Sequence, residues 1–158
     1  MSVTLGLHRI KDPANLGGIL RAAFIFNVDG VAVTNSRLTE KDVLHPANTP
    51  KYRNVRFFEN PHTMSAAELV ARALGLMVHD VPIAVELVPG AEPLHTFVHP
   101  EHAHYIFGPE SGTLDPEIRE ACAATVMIPT PREVISLNLA QAVNIVLYDR
   151  FMKELNHA

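Results

Sequence analysis

Strand-like and helix-like segments alternate along the chain, which predicts an α/β domain: a mainly parallel sheet with helices on both faces. Two further observations agree. At 158 residues the chain has the size of one domain, and 47% apolar with 19% charged residues supplies both a core and a solvated surface. Its eight glycines and twelve prolines are scattered, which excludes collagen-like, low-complexity and disordered chains. No internal repeat or linker interrupts the pattern, so residues 1–158 are expected to form a single domain.

Taken in order, Val3 to His8 is apolar and rich in β-branched residues, a first strand. Pro13 breaks the chain and Asn15 is the expected N-cap of a helix. Leu16, Ile19, Leu20, Ala23 and Phe24 recur at helical spacing, until Asn27 and Asp29-Gly30 bring turn chemistry. Gly30 to Thr34 is the second strand. A short helix near Glu40–Leu44 and a weak strand at Val55–Phe58 follow, and then a helix over Ser65–Leu76. Pro82–Val88 and Tyr105–Phe107 are strands, the latter running into Gly108-Pro109. Asp115-Pro116 has the composition of a helix start, with Asp as cap and Pro at the first position. Thr125–Ile128 is the last strand, and Leu137–Leu155 the longest helix.

Composition excludes several classes. One cysteine, Cys122, gives neither an internal disulfide nor a CxxC zinc site. No apolar run approaches the ~18–20 residues of a membrane helix, and the N-terminus lacks an export signal. The expected compartment is cytoplasmic. The formal net charge of −4 argues against nucleic acid until it is divided. Residues 1–56 hold eight basic and four acidic side chains, whereas the remainder hold five and thirteen. Either this is ordinary solvated charge, or one basic face meets phosphates.

Some motifs fail on geometry. Ser111 in Gly108-Pro-Glu-Ser-Gly112 is displaced from the position a nucleophile elbow requires, and Gly17-Gly18 is neither a P-loop nor GxGxxG. His95, His99, His102 and His104 could hold zinc, but Pro100 disrupts helical pairing there, and a solvated loop is the expected state.

Three segments carry polar residues that a buried core does not need. In the first, Asn15 and Arg21 flank glycines around a helix start, where free N–H groups suit a phosphate. Arg21 is either such a ligand or a snorkelling, ion-paired arginine. In the second, Gly108–Gly112 turns sharply after a strand, where open α/β sheets bind ligands; the alternative is a plain connection. In the third, Ser136 and Asn138 precede the long helix, and capping accounts well for only one of them.

NLGGILRAA, FGPESG and IPTPREVISLNLAQAVNIVLYD, in that order and spanning almost the whole chain, resemble the three motifs of the SpoU (TrmH-type) RNA 2′-O-ribose methyltransferases of the SPOUT class. Each motif alone is weakly specific, and three in order are a strong signal. The resemblance implies an α/β knot with a deep C-terminal trefoil, contrary to the general rule that chains do not thread loops. It also implies an S-adenosyl-L-methionine site and a homodimer with composite active sites. RNA, either tRNA or rRNA, is the implied partner, with tRNA slightly favoured; no membrane or DNA partner is expected, and no metal. Carried over by motif, the catalytic set is Asn15, Arg21, Glu110, Ser136 and Asn138. The implied cofactor contacts are Val85, Glu86, Leu87, Gly108, Ile128, Ser136, Leu137 and Asn138. Without an accessory domain, the basic N-terminal third and the partner subunit are expected to supply RNA contacts. The alternative is a non-catalytic RNA-binding or assembly protein on the same fold.

Overall fold

The computed structural model describes residues 1–43, 54–58, 79–132 and 136–157. The strands are β1 (Ser2–His8), β2 (Gly30–Thr34), β3 (Val55–Phe58), β4 (Val81–Val85), β5 (Glu92–Pro93), β6 (His102–Phe107) and β7 (Ala124–Met127). The helices are α1 (Pro13–Ile25), α2 (Glu40–Val43), α3 (Pro116–Glu120) and α4 (Leu139–His157). Among the described residues the strands form one seven-stranded sheet in the order β3-β2-β1-β6-β4-β7-β5, and every pairing is parallel.

Strand alternation divides the sheet's residues between two faces. Leu5, Leu7, Val31, Val33, Ile83, Tyr105 and Phe107 pack with Leu16, Ile19 and Leu20 of α1 and Val143, Val146 and Leu147 of α4. The two helices touch each other, and a Cβ on Gly18 would lie 2.9 Å from the Ala140 Cβ, so α1 needs glycine there to approach α4. On the opposite face Ala84 and Ile106 pack with Leu114 and Ile118, the latter from α3. Helices on both faces are thus observed.

Several boundaries differ from expectation, each for a local reason. Asp12, not Asn15, caps α1: its side chain accepts from the Ala14 N–H at 2.8 Å, and Pro13 takes the first helical position. Asn15 therefore lies inside the first turn, only 6% exposed. Helix α4 begins at Leu139 rather than Leu137, because Asn138 Oδ1 accepts from the Ala140 and Gln141 amides at 3.0 and 3.4 Å. Strand β4 stops at Val85 rather than Val88, since the Glu86 carboxylate captures the Leu87 N–H at 3.1 Å and turns the chain. Strand β6 starts earlier than its apolar run, because its histidines are matched by polar residues of β1. The two-residue β5 has no signature in the sequence. The helix expected over 65–76, and Leu44 of the short helix, lie outside the described residues. No helix among the described residues is long and apolar enough to cross a membrane.

Candidate active site

The register sets Phe107 beside Leu7 on one side and Val85 on the other, so β1, β4 and β6 end together. A cavity of about 280 Å³ opens just beyond these carboxyl ends. Four segments wall it: Val85–Leu87, Phe107–Gly112, Ile128 with Thr130, and Ser136, Leu137, Leu139 and Ala142. A Cβ on Gly108 would stand 3.1 Å from Leu114 Cγ and 3.2 Å from its N, so the missing side chain seats Leu114 against the loop. Glu86 Oε2 accepts from the Leu114 N–H at 2.7 Å and holds the same loop from the cavity side.

Side chains from three distant parts of the sequence meet beside this cavity. Glu110 accepts from the backbone N–H groups of Lys11 (3.1 Å) and Asp12 (3.1 Å) and from Asn15 Nδ2 (3.2 Å). Asn15 Oδ1 in turn accepts from Asn138 Nδ2 at 2.8 Å, and Asn138 Oδ1 caps α4. Partial burial pushes the Glu110 carboxyl upward, but its own amide, Asn15, Asp12 and Lys11 all donate to the anion, and the net direction is below the usual range. Both polar atoms of Asn15 are engaged, so its role is to lock α1 to the Glu110 turn and to the start of α4.

The structure places the residues expected from sequence as follows. Val85, Glu86, Leu87, Gly108, Glu110, Ile128, Ser136 and Leu137 line the cavity. Asn15 and Asn138 join Glu110 in the hydrogen-bonded chain outside it. Arg21 is on an exposed position of α1, six residues and roughly 9 Å of helix rise beyond Asn15. Sequence reasoning missed Thr130, Leu139 and Ala142 as wall residues. Their proximity to Ile128 and Asn138 was the available signal. It also missed Asp115, whose carboxylate faces His8 and Arg9 instead of capping α3.

The histidines expected in a solvated loop are mostly part of hydrogen-bonded networks at the amino end of the sheet. Thr4 Oγ1 donates to Asp80 at 2.6 Å, so the neutral His104 ring 2.7 Å away carries its proton on Nδ1 and donates to Thr4. Ser2 Oγ likewise donates to Asp80 at 2.8 Å and lies 2.9 Å from His102 Nδ1. Burial pushes the His104 imidazole down to about 4, against the pull of Asp80, so the ring is neutral. On the other face His99 bridges the Tyr105 hydroxyl (2.5 Å) and Asp149 (2.8 Å). Only His95 is an exposed loop residue of this set. No group of three or more metal-ligating side chains comes together among the described residues.

Fold and site together define a parallel α/β domain with a loop-built pocket at the carboxyl edge of the sheet, the place where open α/β sheets bind ligands. Residues 2–148 match the SpoU rRNA Methylase family, and the chain belongs to it. It is 29% identical over 154 residues to the 23S rRNA (guanosine-2′-O-)-methyltransferase RlmB of Nitrosomonas europaea, covering 95% of this chain and 56% of that protein. The chain spans about half the length of the curated relatives it matches. Among solved structures, the SpoU methyltransferase AviRb of Streptomyces viridochromogenes in complex with AdoMet superposes with a TM-score of 0.78 at 20% identity, over 98% of this chain and 58% of that one. A structure concerned with 2-OH methylation of C/U34 on tRNA gives 0.75 at 23% identity, over 98% of this chain and 91% of that one. These structural likenesses establish the fold.

Proposed function

We propose that this protein transfers a methyl group from S-adenosyl-L-methionine to a ribose 2′-hydroxyl of structured RNA, with tRNA slightly favoured over rRNA. The carboxyl-edge cavity carries the reading: the segments that family resemblance assigns to the cofactor are the ones that wall it. Family membership and the guanosine-2′-O-methylating relative support the reaction.

The cavity suits the cofactor chemically. Leu87, Ile128 and Leu137 offer apolar faces for an adenine ring, and the glycines at 108 and 112 let main-chain groups approach a ligand. When bound, S-adenosylmethionine supplies an electrophilic methyl on its sulfonium. The chain's own task is to bring a poor nucleophile into line with that carbon, with the hydroxyl proton passing to solvent water and S-adenosylhomocysteine leaving. A guanidinium stays protonated at neutral pH, so Arg21 is assigned to fork onto an RNA phosphate and to stabilise charge developing on the ribose oxygen. Asn15 sets the position of α1, and so of Arg21, through Glu110 and Asn138. Ser136 shapes the cofactor wall.

The reading treats residues 1–158 as one catalytic domain, knotted in its C-terminal part and paired as a homodimer with composite sites. Ile145, Tyr148, Met152 and Leu155, spaced as one helical stripe on the outer side of α4, are exposed, as are Phe24 and Ile25 at the end of α1, which supports burial against a second copy.

The test uses tritiated S-adenosylmethionine with tRNA and, separately, rRNA from a strain lacking the protein. Label recovered as a 2′-O-methylnucleoside is the expected outcome. Arg21→Ala, and equally Arg21→Lys, is expected to lose on the order of 100- to 1,000-fold in turnover while S-adenosylhomocysteine affinity stays within a few-fold. No label from either pool, with no calorimetric heat on adding S-adenosylhomocysteine, would instead support a non-catalytic RNA-binding protein.

A further inference from the structure

We propose that His8, Arg9 and Asp115 form a positioning latch that fixes the outer wall of the cofactor pocket to the segment leading into α1. The latch stands on the methyltransferase reading only for the identity of the pocket's ligand.

Two departures from local rules coincide at this point. Arg9 has φ of +57°, in the left-handed region that favours glycine, although it carries one of the largest side chains. Asp115 stands directly before Pro116, in the N-cap position of α3, yet its side chain makes no cap bond. Its Oδ1 accepts from Arg9 Nη1 at 2.8 Å, and its Oδ2 lies 3.3 Å from His8 Nε2. His8 is buried at the end of β1, with Nδ1 3.0 Å from the Thr34 hydroxyl of β2. A neutral imidazole satisfies both neighbours, accepting from Thr34 and donating to Asp115. Burial favours that neutral form and outweighs the pull of Asp115. Local strain and a forgone cap persist only where the surroundings over-determine them.

What these residues hold is the pocket's wall. Leu114, one residue before Asp115, seats against Gly108 and donates its N–H to Glu86, a residue of the cavity lining. The other end of the same loop, Glu110, takes the amides of Lys11 and Asp12. The 110–115 loop is therefore tied at both ends to residues 8–12. That segment continues into α1, which carries Asn15 and Arg21. The wall on the cofactor side and the helix on the substrate side are joined as one body.

Arg9→Gly removes the guanidinium and supplies the residue that adopts this backbone freely, so the fold is expected to survive. The Kd for S-adenosylhomocysteine should rise on the order of tenfold, equivalent to one charge-assisted hydrogen bond, with little change in Tm. In the ligand-free protein, amides of residues 108–114 should exchange with deuterium on the order of tenfold faster. Arg9→Lys retains one donor for Asp115 Oδ1 and should recover most of both effects, and Asp115→Asn should reproduce the loss. If wild-type protein binds no S-adenosylhomocysteine, the methyltransferase reading fails and exchange alone decides the latch. Unchanged exchange in both Arg9→Gly and Asp115→Asn overturns it. So does a lowered Tm without faster loop exchange, which would assign the cluster to folding.

Discussion

Cavities of similar size open at the two ends of the sheet, about 280 Å³ at the carboxyl end and about 320 Å³ at the amino end beside Met1, Phe97 and Arg150. Their polar surroundings differ in kind. At the amino end polar groups are matched against one another: Ser2 and Thr4 against Asp80, His99 against Tyr105 and Asp149. Arg150 and Lys153, on the wall of the amino-end cavity, donate to the carbonyls of Pro100, Glu101, Leu94 and Phe97. At the carboxyl end side-chain oxygens accept from main-chain N–H groups, Glu86 from Leu114, Glu110 from Lys11 and Asp12, and Asn138 from Ala140, whereas the amino-end side chains that reach main chain donate to carbonyls. One network closes a sheet; the other shapes loops around a space. The two cavities differ less in volume than in the direction of the hydrogen bonds around them.

The largest expected effect comes from breaking the carboxyl-end network. Glu110→Ala leaves the Lys11 and Asp12 amides and the Asn15 amide without their acceptor. Turnover in the tritium-transfer assay should fall on the order of 100-fold, as expected when catalytic elements shift by about 1 Å. The melting temperature should fall by only a few degrees, since Glu110 and the Lys11 and Asp12 amides it holds are exposed. A melt that collapses along with activity would make this end as purely structural as the other.

Gly6→Ala is the opposite experiment. A Cβ there would lie 2.7 Å from His104 Nε2, inside a fully buried ring's contact distance. The cost of overpacking should be about 1–3 kcal/mol, read as a shifted urea midpoint. S-adenosylhomocysteine affinity should not move. A weakened affinity with unchanged stability would show that the packing around His104 reaches the pocket.

Acid should act more gradually. Burial lowers the imidazoles of His8, His99 and His104, the last to about 4. In the unfolded chain each takes up its proton near 6.5, so below that pH the unfolded state binds more protons. The contribution of these neutral rings is complete above pH 6.5 and is lost as pH falls through each lowered folded-state value, about 4 for His104. Melting temperatures between pH 7.5 and 4.5 should decline, and His104→Leu should flatten part of the decline. A profile with no acid slope would mean that the rings are not buried neutral.

Elements with strong local periodicity were legible: β2 matches its expected span, β1 differs by one residue, and α1 and α4 lie where apolar spacing puts them. Where prediction slipped, a specific side chain intervened. Asp12 displaced Asn15 as cap, Asn138 shortened α4, and Glu86 turned the chain at the end of β4. His99, His102 and His104 were misplaced because each is covered by a residue far away, such as Thr4 for His104, 100 positions apart, whereas His95 is exposed as expected.

The sequence by itself determined the alternation of strands and helices, the glycines that permit close approach, and the three polar motifs that mark the family. Those are local properties, carried by spacing, caps and side-chain size. Only the tertiary structure decided that Asn15 meets Glu110 and Asn138, 95 and 123 residues away, or that Arg9 meets Asp115 across 106. A parallel sheet brings its strand ends together only after every crossover is complete. No periodicity in the chain records which polar residues will then face one another.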